Sequence, residues 1–520
     1  MTGISAIPES PPPPKPAASV YTLGCKLNQL ESESIADAFR QAGFSIIPWN
    51  ETFQAGDAPG EPDILIINTC TVTSHSEQKA RRVIRKALRD FPRARLVVTG
   101  CYAQVDAAAL ESLGDEEGIA AGPGAEKRLF VIPGDFKDRI LDLPRFLAVK
   151  TPPGGSSREP GALIESWALG ASVTAGGDRA EGSFRFSPGG FSFHSRAFLK
   201  IQDGCDNRCA YCRVSIARGK SRSLGAAEVL AALRDLEARG FGEAVLTGVN
   251  LSQYKSAASG VSDLSALLEY LLEGTERIRI RLSSIEPGVF SPRFIRALSH
   301  ERVRPHFHLS LQSGSDAVLK RMGRAYSAGE AMEGIEQIKS ARDDPFLACD
   351  IIAGFPGETA GEFEKTREFC RLAGFAGIHA FPFSPRPGTA AWNFKDRVSE
   401  REAGQRVGSL GSLARCSRKE YVNRWMGREV EFVAEAERGK TPGFIPGITD
   451  NYLRLFVPLE GKEPPPPGSL LMCRIRPGRE GESPGNGRFD AAADWLQGQR
   501  IQTHFLHKLC SFGPEVRRDL

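Results

Sequence analysis

The sequence predicts an α/β protein: an N-terminal parallel α/β domain, a partial (βα)6 barrel and a small C-terminal antiparallel β-barrel. Three observations carry this. Short apolar strands alternate with amphipathic helices from Val20 to about Pro144, and again from Ala197 to about Phe383. After Gly427 the pattern changes to short strands and turns. At 520 residues the chain also exceeds what one hydrophobic core holds.

The bulk numbers fit a globular protein, with 41% hydrophobic and 25% charged residues. A balance of 67 basic against 63 acidic side chains leaves only +4, so any nucleic-acid-binding surface must be local. No stretch is long and apolar enough to cross a membrane. Residues 1–19, with Pro11 to Pro14 in a row, read as a disordered leader rather than a signal peptide. Eleven cysteines without a secretory signal point to reduced thiols and a cytoplasmic protein.

In the first domain, residues 20–149, the expected strands are Val20–Leu23, Ile64–Asn68 and Leu96–Thr99. Helices are expected near Gln29–Ala42 and Glu77–Arg89. Each strand ends two residues before a cysteine: Cys25, Cys70 or Cys101. In a parallel sheet such positions gather at the carboxyl edge, where ligand sites form. These three thiols are therefore either a dispersed ligand set or three separate core cysteines.

Residues 150–192 are rich in Gly, Pro and Ser and read as a linker. Residues 193–426 carry six expected strands: Ala197–Gln202, Ala244–Leu246, Ile278–Leu282, Phe307–Leu311, Leu347–Ile352 and His379–Phe383. Helices such as Ala226–Ala238, Ala328–Ala341 and Glu362–Leu372 separate them. Residues 427–478 then give Glu429–Glu435, Asn451–Pro458 and Ser469–Arg476, a barrel of a kind that often binds RNA. Residues 479–520 form a tail without a clear pattern.

The strongest motif is Gly204-Cys205-Asp206-Asn207-Arg208-Cys209-Ala210-Tyr211-Cys212, in the loop after the first barrel strand. Three thiolates hold three corners of a four-iron–four-sulfur cube and leave one iron open to another ligand. Zinc is the alternative, but it usually takes four protein ligands and no fourth stands nearby. Cys349, Cys370, Cys416, Cys473 and Cys510 read as core or surface thiols. The eight histidines form no metal-spaced pair; His306 and His308 share a strand face, which packing explains.

Arg81, Arg85 and Arg89 stack at four-residue spacing on the helix after Cys70, either as a solvated face or as a phosphate-tracking surface. Gly354-Phe355-Pro356-Gly357-Glu358 is either a tight turn or a close approach of backbone to a cofactor.

These residues resemble a known family. Cys205, Cys209 and Cys212 resemble the radical S-adenosylmethionine (radical SAM) signature. The blocks Thr22–Asn28, Asn68–Thr73, Gly100–Gln104, Leu282–Pro287, Leu309–Ser315 and Asp350–Glu358 are similar to those of the methylthiotransferases. The resemblance spans roughly Tyr21 to Arg476 and is strongest to the threonylcarbamoyladenosine tRNA enzymes. It implies a methylthiotransferase N-terminal domain, a radical SAM barrel and a TRAM-like RNA-binding domain. It further implies S-adenosyl-L-methionine and two [4Fe-4S] clusters, the second held by Cys25, Cys70 and Cys101.

Gln312, Ser313, Asp350 and Gly354 are expected along the SAM-facing strand ends, with no catalytic residue beyond the cluster ligands. The implied reaction places sulfur and a methyl group on carbon 2 of N6-threonylcarbamoyladenosine next to the anticodon. It needs a tRNA substrate, a reducing electron donor and a sulfur donor, and no membrane. Rival readings are a methylthiotransferase for isopentenyladenosine tRNA or a ribosomal-protein aspartate, and a non-catalytic iron–sulfur RNA-binding protein. Two departures stand out: Arg213-Val214-Ser215 where Ile-Ile-Pro is common, and Gly122–Lys127 where Gly-Asn is usual.

Overall fold

The computed structural model describes residues 15–49, 60–116, 127–150, 163–168, 182, 184–191, 195–256, 260–435, 443–461, 463–478 and 490–495. Most of the expected leader, linker and tail, with Gly122–Glu126 and Cys510, lies outside them. The chain divides into two compact units. One runs to Gly189, and the other takes in Val72–Ser74 and everything from Gly190.

The first unit is a five-stranded parallel sheet in the order β2-β1-β3-β4-β5. Its strands are β1 (Ala17–Thr22), β2 (Ser45–Ile46), β3 (Ile64–Thr69), β4 (Arg95–Gly100) and β5 (Leu129–Val131). All six residues of β3 are buried, as a strand covered on both faces requires. Helix α1 (Lys26–Gln41) follows β1, α2 (Ser74–Asp90) follows β3, and the short α3 (Cys101–Val105) starts directly at the end of β4. On α2 the buried residues Ala80, Val83, Ile84, Ala87 and Leu88 keep helical spacing, so the intervening basic residues are left outside.

Two boundaries shift. Ala17–Ser19, expected in the leader, pair into β1, with Ala17 and Ala18 opposite Ser45 and Ile46. Within the expected linker, residues 163–168 are helical and bury Leu163, Ile164 and Trp167.

The second unit holds the expected six-stranded arc: β6 (Ala197–Lys200), β9 (Glu243–Thr247), β10 (Arg279–Leu282), β11 (His306–Gln312), β12 (Phe346–Ala353) and β13 (Gly377–Pro382). A short hairpin, β7 (Gln202–Asp203) with β8 (Arg222–Ser223), brackets the cysteine loop. The arc is two parallel triplets, β6-β9-β10 and β11-β12-β13, linked by a bridge from Ile285 to Leu309. Helices α4 (Ala226–Ala238), α5 (Leu264–Gly274), α6 (Pro292–Ser299), α7 (Ala328–Ala341) and α8 (Ala360–Ala373) connect them, and α9 (Glu400–Trp425) closes the series.

The C-terminal module is a closed barrel of β14 (Glu429–Ala434), β15 (Phe444–Thr449), β16 (Arg454–Pro458), β17 (Leu470–Arg476) and β18 (Ala491–Trp495). Here the expected boundary at 478 is corrected. The closing strand β18 comes from the segment read as a tail and fits between β16 and β17.

This barrel packs against the amino-terminal ends of the arc strands. Phe346, Ala348 and Ala376 share a core with Tyr421 and Trp425 of α9 and with Phe432, Leu455 and Ile475 of the barrel. Fully buried Arg281 reaches Glu243 at 2.7 and 2.9 Å and donates to the Asp450 carbonyl at 3.0 Å. Arg304 joins Glu243 at 2.8 Å to Glu431 at 2.6 Å. Burial alone would raise the Glu243 pKa, but the guanidinium groups of Arg281 and Arg304 outweigh it and hold the carboxyl at about 2. Removing one partner of such a buried cluster costs about 3–5 kcal/mol, because a lone charge is left behind. No helix among the described residues is long and apolar enough to cross a membrane.

Candidate functional site

Each unit carries one three-cysteine set at the carboxyl edge of its sheet. In the first unit, register does the gathering. Thr22 pairs with Asn68, Asn68 with Thr99 and Thr69 with Gly100, so the three chains leave the sheet side by side. Cys25 then caps α1, Cys70 follows β3 and Cys101 opens α3.

Buried Asn28 ties these exits together. Its amide donates to the Leu23 carbonyl at 2.7 Å and the Thr69 carbonyl at 3.0 Å. Asn68 in turn donates to the Asn28 carbonyl at 3.0 Å and to Ser32 Oγ at 3.2 Å. The Thr69 hydroxyl donates to the Thr99 carbonyl at 2.5 Å and accepts from the Ala103 N–H. Two glycines make room. Gly100, at φ +104, has no space for a Cβ, which would sit 2.3 Å from the Thr69 carbonyl oxygen. At Gly24, φ +105, a Cβ would lie 3.0 Å from Cys70 Sγ and fill the cradle beside that thiol.

In the second unit the loop after β7 carries Cys205, Cys209 and Cys212. Gly204 starts it at φ +71, and a Cβ there would stand 1.9 Å from the Lys220 carbonyl oxygen. Gln202 holds the loop base by donating to the carbonyls of Asp203 and Gly204 and to Ser221 Oγ. Every sulfur meets an N–H donor. Arg324 Nη1 lies 3.3 Å from Cys209 Sγ, the Val214 N–H 3.4 Å from Cys212 Sγ and the Asn250 amide 3.9 Å from Cys205 Sγ.

Arg324 is clamped in turn. It pairs with Glu286 at 2.9 Å, lies over the Tyr326 ring and donates to the Ser310 carbonyl. Glu286 also accepts from Asn207 at 2.6 Å, inside the cysteine loop. Burial pushes the Cys212 thiol up to about 12, and Cys209 and Cys205 add to the shift. Burial raises Cys205 too. Cys205 and Cys212, whose burial disfavours the thiolate, fit a cationic iron centre, which removes that penalty.

Among the described residues, no three Cys, His, Asp or Glu side chains converge on a single metal ion. A zinc ion takes its ligands on one centre, whereas a cubane cluster takes each thiolate on a separate iron, and three thiols without a fourth protein ligand suit the latter donor set. Both sets offer three thiol donors that are not in disulfides.

The expected SAM wall divides into parts. Gln312 adopts φ 69, in the left-handed region, at a register shift between β11 and β12. Such strain in a non-glycine residue costs about 1–3 kcal/mol and concentrates at functional sites. Tyr326 pins this bend by donating to the Ser310 and Leu311 carbonyls. Ser313 is fully buried; its hydroxyl contacts Thr366 Oγ1 and accepts from the Ser315 N–H, so it shapes the turn from behind. Gly354, at φ +74, abuts Ala403 of α9, and its N–H donates to Glu358, which pairs with Arg406. Phe355 packs with Ala210 of the cysteine loop, which ties the Gly354–Glu358 turn to the cluster site. Asp350 lies on β12, with Oδ1 3.0 Å from His308 Nε2.

Other expectations resolve in the same way. On the basic helix, Arg81 donates to Tyr102 Oη at 2.6 Å and Arg85 pairs with Glu116, which leaves Arg89 exposed. Cys349, Cys370 and Cys473 are buried and Cys416 is exposed. Packing accounts for His306, stacked 3.9 Å from the Tyr452 ring, but not for His308, which is hydrogen-bonded instead. Sequence reasoning gave no role to Asn28, Glu286, Asn250 or Arg324, although the first two stand inside the quoted motifs.

Comparison with known proteins sets this geometry among relatives. Residues 199–370 match the Radical SAM superfamily, and residues 17–122 match the Uncharacterized protein family UPF0004. The threonylcarbamoyladenosine tRNA methylthiotransferase MtaB of Treponema pallidum is 41% identical over 489 residues, 88% of this chain and 97% of that protein. The chain belongs to the threonylcarbamoyladenosine tRNA methylthiotransferases. The Bacillus subtilis member of the family is 32% identical, over 84% of this chain and 89% of that protein. A tRNA-2-methylthio-N(6)-dimethylallyladenosine synthase from Nitratidesulfovibrio vulgaris reaches 31%, over 82% and 87%. In this methylthiotransferase, the family matches thus include all six cysteines of the two sets.

Proposed function

We propose that this enzyme adds sulfur and a methyl group at carbon 2 of N6-threonylcarbamoyladenosine beside the tRNA anticodon. The observation that carries the reading is the pair of independent three-cysteine sets, each leaving one corner of a four-iron cluster open, in a chain 41% identical to the Treponema pallidum enzyme. When bound, the cluster of Cys205, Cys209 and Cys212 supplies the electron that splits S-adenosyl-L-methionine, and the cluster of Cys25, Cys70 and Cys101 supplies the sulfur.

The remaining residues hold and screen. Arg324 presents positive charge to Cys209 and fixes Glu286 and Asn207 of the same loop. Gln312 and Gly354 stand at the strand ends assigned to S-adenosyl-L-methionine, with Ser313 behind them, whereas Asp350 lies within β12, bonded to His308. The closed barrel of β14 to β18 is the TRAM-like RNA-binding module, and its packing on the arc keeps bound tRNA in register with the site. A reducing partner and a sulfur donor complete the cycle in the cytoplasm.

The test is nucleoside mass spectrometry of tRNA from a deletion strain, with and without the restored gene. Loss and recovery of the 2-methylthio derivative of threonylcarbamoyladenosine supports the reading. Loss of the dimethylallyladenosine derivative instead, or an unchanged tRNA profile, contradicts it.

A further inference from the structure

One polar cluster in the arc has no task in the chemistry above. His308, Asp350 and His379 stand on β11, β12 and β13 and project to the inner face, since their neighbours Leu309, Cys349 and Ile378 pack into the outer core. Asp350 and His379 are direct register partners. Asp350 Oδ1 accepts from His308 Nε2 at 3.0 Å, and Ser284 Oγ lies 3.0 Å from His308 Nδ1. A carboxylate only accepts, so in the neutral ring Nε2 carries the proton and Nδ1 accepts from Ser284.

The His308 bond fixes Asp350 through Oδ1, with the side chain partly exposed on the inner face. The His379 ring lies 5.2 Å from that of His308 and is exposed. Partial desolvation by the surrounding wall lowers the His379 pKa, and His308, Arg418 and Arg454 lower it further against the pull of Asp350. In its neutral form the ring offers one N–H donor.

We infer that Asp350 and His379, with His308 as the positioning residue for Asp350, form the subsite for the threonylcarbamoyl substituent of the target base. The inference rests on the function proposed above and names the recognition element of that site. The substituent offers N–H and O–H donors to the Asp350 carboxylate, and carbonyl and carboxylate acceptors to His379. Arg454 adds long-range attraction for its carboxylate, while Arg418 is paired with Asp490. An adenosine with an apolar or absent substituent forgoes these hydrogen bonds, which is a basis for discrimination.

The experiment compares two anticodon stem-loop RNAs, one with threonylcarbamoyladenosine and one with plain adenosine, by fluorescence anisotropy on the full-length, cluster-reconstituted enzyme. The wild type binds the modified RNA about tenfold more tightly. His379→Ala, a change at an exposed side chain, reduces that preference to within about twofold. His308→Ala does the same, whereas His308→Gln, which can still donate to Asp350 and accept from Ser284, retains most of it. A wild type without preference, or a His379→Ala variant that keeps it, overturns the subsite. Methylthio product formed on threonylcarbamoylated tRNA in that case leaves the proposed function standing; absence of product removes the function and the subsite together.

Discussion

The two cysteine sets are assembled in opposite ways. Cys205, Cys209 and Cys212 lie on one loop of nine residues, Gly204 to Cys212, and local backbone plus N–H donors to each sulfur define their site. Cys25, Cys70 and Cys101 come from three strand exits, and only sheet register and the Asn28–Asn68 cross-links bring them together. The first set resembles a preformed clasp. The second exists only while the parallel sheet is folded, so its metal binding is coupled to the stability of the whole unit.

That contrast is sharpened most by the glycines. Gly204→Ala places a Cβ on the Lys220 carbonyl, and Gly100→Ala places one on the Thr69 carbonyl, each at positive φ. Each is expected to cost roughly 2–4 kcal/mol. Iron analysis with thermal melting should show that Gly204→Ala loses iron from the barrel loop with a local effect on melting. Gly100→Ala should lose iron and lower the melting transition of the first unit together. Equal melting effects would erase the distinction between clasp and sheet edge.

Asn28→Ala is a smaller change of the same kind. It leaves the buried Leu23 and Thr69 carbonyls short of one donor each, about 1–3 kcal/mol per group. The expected outcome is a first unit that folds but retains its cluster poorly, seen as faster iron release to a chelator. Release at the wild-type rate would show that register alone holds the three exits.

Legibility in the sequence followed the same divide. The loop triplet was readable from spacing alone. The dispersed triplet was readable as a possibility, because each cysteine follows an apolar strand by two residues, and became a ligand set only with the resemblance. Helices with clean periodicity, Ala226–Ala238 and Ala328–Ala341, matched their expected limits.

The closing strand β18 escaped because Gly- and Pro-rich sequence separates it from β17, and a strand of five residues needs its partners to be visible. Long helix α9 escaped because few of its residues are buried, so its apolar stripe is sparse. Buried Arg281 and Arg304 drew no expectation, since nothing local announces that Glu243 and Glu431 converge on them. His308 was misread for the same reason: its partners Ser284 and Asp350 lie on other strands.

The central claim is that the six cysteines hold two independent clusters. The most direct measurement is iron and sulfide content, with electron paramagnetic resonance, on two reconstituted triple variants. Replacing Cys25, Cys70 and Cys101 by alanine should remove half of the iron and leave one reducible cluster signal, and replacing Cys205, Cys209 and Cys212 should remove the other half. Loss of all iron from one variant and none from the other would contradict the account.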